Sequence, residues 1–181
     1  MRRIINVLVA FTVGVLMSCQ DSSTEKKDYV ARQPLMTVEQ VDAEFIAVVN
    51  DIVNAEIIAG KLAMAKGADK RIKNFGRIMV KDYTKGWAKL VKLADAKRIP
   101  LTDTLTKETQ VKIAALNNKT GKDFDRAYIE YITADHRKAI TIFKRAQKNC
   151  FDKEIKKTAG KGILVFERHL EAIFSIRDSM R

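Results

Sequence analysis

Proline and glycine are scarce in this 181-residue chain, at two and eight residues. So few breakers argue against a fold of short strands and tight turns, and the abundant Ala, Lys, Leu and Ile favour helix. There is no Gly-rich phosphate loop, no G-x-S-x-G and no H-E-x-x-H, which removes the usual signatures of nucleotide binding, serine hydrolysis and zinc proteolysis. Cysteine occurs twice and never as C-x-x-C, so structural zinc and thioredoxin-like exchange have no support. Aromatic residues make up 7% of the chain and are not interleaved with basic ones. With no recognised nucleic-acid motif either, a nucleic-acid partner is not expected. Histidine appears only at His136 and His169.

The charge is lopsided. Lys and Arg outnumber Asp and Glu by 34 to 22, a net charge of +12 that falls to +10 if Arg2 and Arg3 leave with a signal. A basic exported protein is attracted to anionic lipid or polymer.

Export is written at the start. Arg2 and Arg3 precede a mostly apolar run from Ile4 to Met17, too short and wrongly flanked for a lasting membrane span. It ends in "LMSC", residues 16–19, the pattern of a bacterial lipobox with Met17 as an unusual second residue. Residues 1–18 are therefore read as a lipoprotein signal peptide and Cys19 as the lipidated residue, anchoring the chain to the membrane. An ordinary secretory signal and an uncleaved anchor are the alternatives. Residues 19–36 form a polar, unpatterned tether, and residues 37–181 the folded domain. The expected location is the cell envelope, facing the periplasm or on the outer membrane. Cys150 then has no partner for a disulfide and is read as a buried turn residue.

From "TVEQ", a capping box at Thr37–Gln40, the pattern becomes helical. Apolar residues recur at three- and four-residue steps over 38–66 (Val41, Phe45, Val48, Ile52, Ala59, Ala63), 69–97 (Ile72, Phe75, Met79, Tyr83, Trp87, Leu90, Ala94), 122–147 and 153–177. Tyr128, Tyr131 and Trp87 fall at core spacing. Four such helices, each ~38 Å long, make an all-α four-helix bundle. Short turns join the first and last pairs. The long segment between helices 2 and 3, with a short helix from Val111, is expected to be the crossover of a ferritin-like bundle; an excursion at one end is the other possibility.

Helical wheels place Glu56, Tyr83, Asp135, His136 and His169 on or beside the inward stripes, with Asp82 at a stripe edge. All fall near mid-bundle. Two imidazoles and carboxylates meeting between helices are how bundle metal sites are built, and this donor set suits zinc, iron or manganese. The candidate ligands are Glu56, Asp82, Asp135, His136 and His169, with Tyr83 as a network partner. A closed hydrogen-bond network that fixes helix register is the competing reading. The di-iron pattern requires Glu-x-x-His on two helices, and Thr133 and Phe166 stand where those glutamates belong. A binding or structural protein is thus expected rather than an enzyme. Lys81, Lys85, Lys89 and Lys92 form a basic ridge on the outer face of helix 2, read as either a solvated face or a contact for anionic envelope components.

Three blocks, "EIIAGKLAMAKGADKRIKNFGRIMVKDYTKG", "FDRAYIEYITADHRKAITIF" and "GILVFERHL", resemble the bacterial family called domain of unknown function 4142. The resemblance spans residues 40–175 and implies an exported, ferritin-like four-helix protein. It matches Glu56, Gly60 and Ala63 in the first motif and Met79, Val80 and Asp82 in the second. Phe124, Asp125, Tyr128 and His136 match the third, and His169 the last. Tyr83 stands where the family has His, and Leu164 where it has Pro. The resemblance implies that Glu56, His136 and His169 belong to one set. Tyr83, a phenol, is a poorer metal ligand at neutral pH and a better hydrogen-bond donor.

Overall fold

The structure, a computed structural model, describes residues 38–180. The signal, Cys19, the tether and Thr37 of the capping box lie outside the described residues. Five helices follow in order: α1 (Val38–Lys66), α2 (Lys70–Lys97), α3 (Lys107–Asn117), α4 (Gly121–Asn149) and α5 (Lys153–Ser179). The α1/α2 and α4/α5 hairpins are the main packing pairs, with α1 also against α4 and α2 against α5. The fold is an all-α bundle.

Local chemistry sets the boundaries. Asp69 caps α2 by accepting from Arg71 N, and Asp152 caps α5 by accepting from Glu154 N and Ile155 N. Thr106 caps α3 by accepting from Thr109 N, so this helix starts at Lys107, earlier than the apolar run at Val111 suggests. The stripes bury a continuous core including Phe45, Ile72, Phe75, Met79, Phe143, Phe166 and Ile173. Two stripe residues depart from expectation: Val48 and Trp87 are 39% and 38% exposed. Helix α1 passes close to α2, where a Cβ on Gly76 would lie 2.6 Å from the Gly60 carbonyl oxygen. Only glycine permits that approach.

Two buried aspartates tie the hairpins together from opposite ends. Asp125, in the first turns of α4, accepts from Ala68 N and Asp69 N at 2.9 Å each, closing the α1/α2 turn. Asp42, in α1, accepts from Phe151 N and Asp152 N at 2.8 and 2.9 Å, closing the α4/α5 turn. Carboxylates accepting paired backbone N–H groups form strong, charge-assisted bonds. These contacts also trace the connector. The end of α2 lies at the α4/α5 turn, with Lys97 Nζ 2.6 Å from Asp152 Oδ2. The start of α4 lies at the α1/α2 turn, with Gly121 bridging Gly67. Between them, Asn50 donates to Thr102 O, Asp51 accepts from Thr106 and Thr109, and Lys66 reaches Asn117 O. The connector therefore runs the length of α1, and α3 covers part of the seam between α1 and α4.

Candidate functional site

Mid-bundle, the inward stripes carry polar residues from all four long helices: Glu56 from α1, Tyr83 from α2, His136 from α4 and His169 from α5. Each sits on a stripe because it follows the three- and four-residue spacing of its apolar neighbours. Glu56 and His136 are 0% exposed, and His169 is 1% exposed. The two imidazole rings lie 5.6 Å apart, and Tyr83 packs 6.1 Å from one and 5.5 Å from the other. Phe166 meets His136 edge-on, and Phe75 does the same to His169.

The pairing of ring nitrogens is regular. His136 Nε2 lies 3.1 Å from the Tyr83 hydroxyl, and His169 Nε2 lies 3.1 Å from Asp82 Oδ2. Adjacent residues of α2 thus hold the Nε2 atoms of both histidines. Both Nδ1 atoms are buried without a hydrogen-bond partner, as are both carboxyl oxygens of Glu56 and the hydroxyl of Tyr128. Glu56 Oε1 stands 3.5 Å from His136 Nδ1, too far for a good hydrogen bond. Buried polar groups in native proteins are nearly always satisfied, so five orphans in one bundle point to a ligand chemistry. Asp82 is also bound by Arg168 at 3.0 Å.

Electrostatics set the protonation states. Burial holds the Glu56 carboxyl well above its ordinary value, and the charge of Asp135 pushes the same way. Burial lowers His136 to about 3, with His169 adding to the effect, so its imidazole is neutral and carries a free lone pair. His169 is also lowered, by burial, against the pull of Asp82. The Tyr83 phenol is raised by burial and then by Glu56 and Asp135, which keeps it a hydroxyl. It donates to His136 Nε2 when Nδ1 holds the ring proton, and accepts when Nε2 holds it.

Asp135 takes a different place. Its side chain is 17% exposed, lies 3.9 Å from Lys112 of α3, and lines a cleft of about 360 Å³ between α1, the connector and α4. Burial raises its carboxyl as well. Among the described residues no three of His, Cys, Asp and Glu already stand together as a chelating group. The layer instead holds two pairs, Glu56 with His136 and Asp82 with His169. Lys81, Lys85, Lys89 and Lys92 are all exposed on α2. Tyr128 and Asp125, read from spacing as core and motif residues, prove to be a buried orphan hydroxyl and a turn cap. Nothing local distinguishes them, because their partners, or lack of them, are set by other helices. Cys150 is buried at the end of α4, its thiol pushed up to about 12 by burial, which makes it a poor nucleophile.

A family model for a domain of unknown function (DUF4142) matches residues 30–176. The chain belongs to this family. Two crystal structures share the fold. One is a DUF305 protein of Streptomyces coelicolor, described as an expected secreted protein, at 14% identity and TM-score 0.66, covering 77% of this chain and 92% of its own. The other is a DUF305 fragment from Deinococcus radiodurans, at 8% identity and TM-score 0.68, covering 79% and 97%. No curated protein matches the chain. Within this DUF4142 member, the motif residues divide by role: Asp125 closes a turn, whereas Glu56, His136 and His169 meet at the bundle centre. No helix among the described residues is long and apolar enough to cross a membrane.

Proposed function

We propose that this DUF4142 protein is a lipid-anchored envelope protein, tethered through Cys19, whose bundle centre binds a transition-metal ion. The observation that carries the metal reading is the matched state of the two histidines: each Nε2 is held by α2, and each Nδ1 is buried and unpartnered. Metal-bound histidines characteristically donate their second N–H to an outer partner that fixes the ring. Tyr83 and Asp82 fill that outer role here, and Glu56, His136 and His169 are the ligands. This assignment moves Asp82 from candidate ligand to orienting residue and explains how Tyr83 can serve where the family has His. A neutral imidazole pair with one carboxylate suits zinc, iron or manganese. Because no chelating triad is preassembled, the ion itself must draw the donors together, at a cost in affinity. Envelope location rests on the lipobox and agrees with the secretion expected of the Streptomyces relative.

The second reading is a non-catalytic structural or stress-related envelope protein, with the layer as a network and the basic ridge on anionic lipid or polymer. The two closed contacts, Tyr83 to His136 and Asp82 to His169, favour it. Elemental analysis of untagged protein, prepared without chelator, separates the two. Near-stoichiometric zinc, iron or manganese in the wild type and its loss in a folded Glu56→Gln variant supports the metal reading. No metal after soaking with all three leaves the network.

A further inference from the structure

We infer that the cleft under α3 is the access route to the buried layer, and that Asp135 is the carboxylate that passes a cation from solvent to Glu56. This inference rests on the metal reading and assigns how the site is filled. Glu56 has no exposed surface, so an ion must reach it past a neighbouring side chain. Its α1 neighbours Ala55 and Ile52 line the cleft, and so does Asp135, the residue immediately before His136. Asp135 therefore spans the distance between the cleft wall and the Glu56–His136 pair, and the two carboxyls feel each other's charge. The rim adds Asp51 and Glu108, so a cation meets three carboxylates on the way in. Asp51 is fixed by Thr106 and Thr109, whereas Asp135 faces only the loose, 3.9 Å contact with Lys112. The opposite edge of the layer is closed more firmly: Asp82 is held at 3.0 Å by the Arg168 guanidinium and at 3.1 Å by His169.

On this account Lys112 is the gate. Its ammonium bridges Glu108 and Asp135, and it must release Asp135 before a cation can take its place. Two positive charges cannot share that carboxylate cheaply in a half-buried site.

The test is the rate of Co²⁺ uptake by the full-length chain in detergent, followed by stopped-flow absorbance, for wild type, Asp135→Asn and Lys112→Ala. The expected result is equal final occupancy in all three, uptake at least tenfold slower in Asp135→Asn, and faster uptake in Lys112→Ala. An unchanged rate in either variant overturns the route. A folded Asp135→Asn that never fills also overturns it, because Asp135 is then a ligand and not a relay. Wild type that takes up no Co²⁺ overturns the metal reading and this inference together, which separates that failure from a failure of the route alone.

Discussion

His136 has one nitrogen against a phenol and the other beside a buried carboxyl, and this arrangement dictates how the metal-free protein responds to pH. Its imidazole titrates near 6.5 when unfolded and about 3 when folded. Between those values the unfolded chain holds the extra proton, so this group makes stability rise with pH up to about 6.5 and contribute fully above it. Glu56 acts with the opposite sign. Its folded carboxyl keeps a proton that the unfolded chain loses above about 4.5, so stability falls as pH rises beyond that point. Wild type should therefore show a plateau between about pH 4.5 and 6.5, tilted slightly upward by His169, and lose stability on either side. In Glu56→Gln the decline above 6.5 should vanish. In His136→Gln the decline should begin at about 4.5, and each single slope approaches 1.4 kcal/mol per pH unit. Urea melts across pH 3.5–9 measure this; parallel profiles for the three proteins would show that the two groups are not coupled to folding. That Glu56, His136 and His169 share a layer was legible in the sequence, because stripe position and distance along a helix locate a residue in a bundle. Which nitrogen faces which partner was not, since that depends on how α2 rotates against α4 and α5.

Among the elements, the long helices were readable from periodicity and the short one less so. Helix α3 starts at Thr106 because its cap, and Asp51 beneath it, fix the backbone before any apolar pattern begins. Trp87 and Val48 follow core spacing yet stand half-exposed, because a bundle stripe narrows where neighbouring helices diverge. The crossed aspartates were hidden for a different reason. Asp42 and Asp125 sit in first-turn positions where acidic residues are common for the helix dipole alone, and their true partners are more than 50 residues away. Replacing Asp125 by Ala removes two charge-assisted bonds and strands two N–H groups, at a cost of about 3 kcal/mol. The melting temperature should fall by about 10 °C. Asp123→Ala, on the exposed side of the same turn, should change stability by less than about 0.5 kcal/mol. Differential scanning calorimetry of the two variants checks the contrast, and equal effects would deny Asp125 its role in joining the hairpins.

At the scale of the whole molecule, a net charge of +12 and an exposed lysine ridge on α2 accompany a chain whose anchor is expected at a membrane surface. If the ridge meets anionic lipid, an unlipidated form of residues 20–181 should bind phosphatidylglycerol vesicles and not neutral ones. Raising salt from 0.05 to 0.5 M should release it. With about 1 kcal/mol for each lysine near the surface, reversing Lys81, Lys85, Lys89 and Lys92 to Glu should weaken binding at least 100-fold. Vesicle sedimentation reads this directly, and salt-independent binding would remove the ridge from the account.

The central claim is that four helices converge to hold an ion between Glu56 and the two Nδ1 atoms. Its most direct test is a Co²⁺ titration of the untagged, metal-free protein, watched in the visible d–d region. Paired measurements on Glu56→Gln and the His136→Ala/His169→Ala double variant complete it. The account predicts bands of imidazole–carboxylate ligation that saturate at one ion per chain and are absent from both folded variants. Bands that persist in the double variant, or no bands in the wild type, would contradict it.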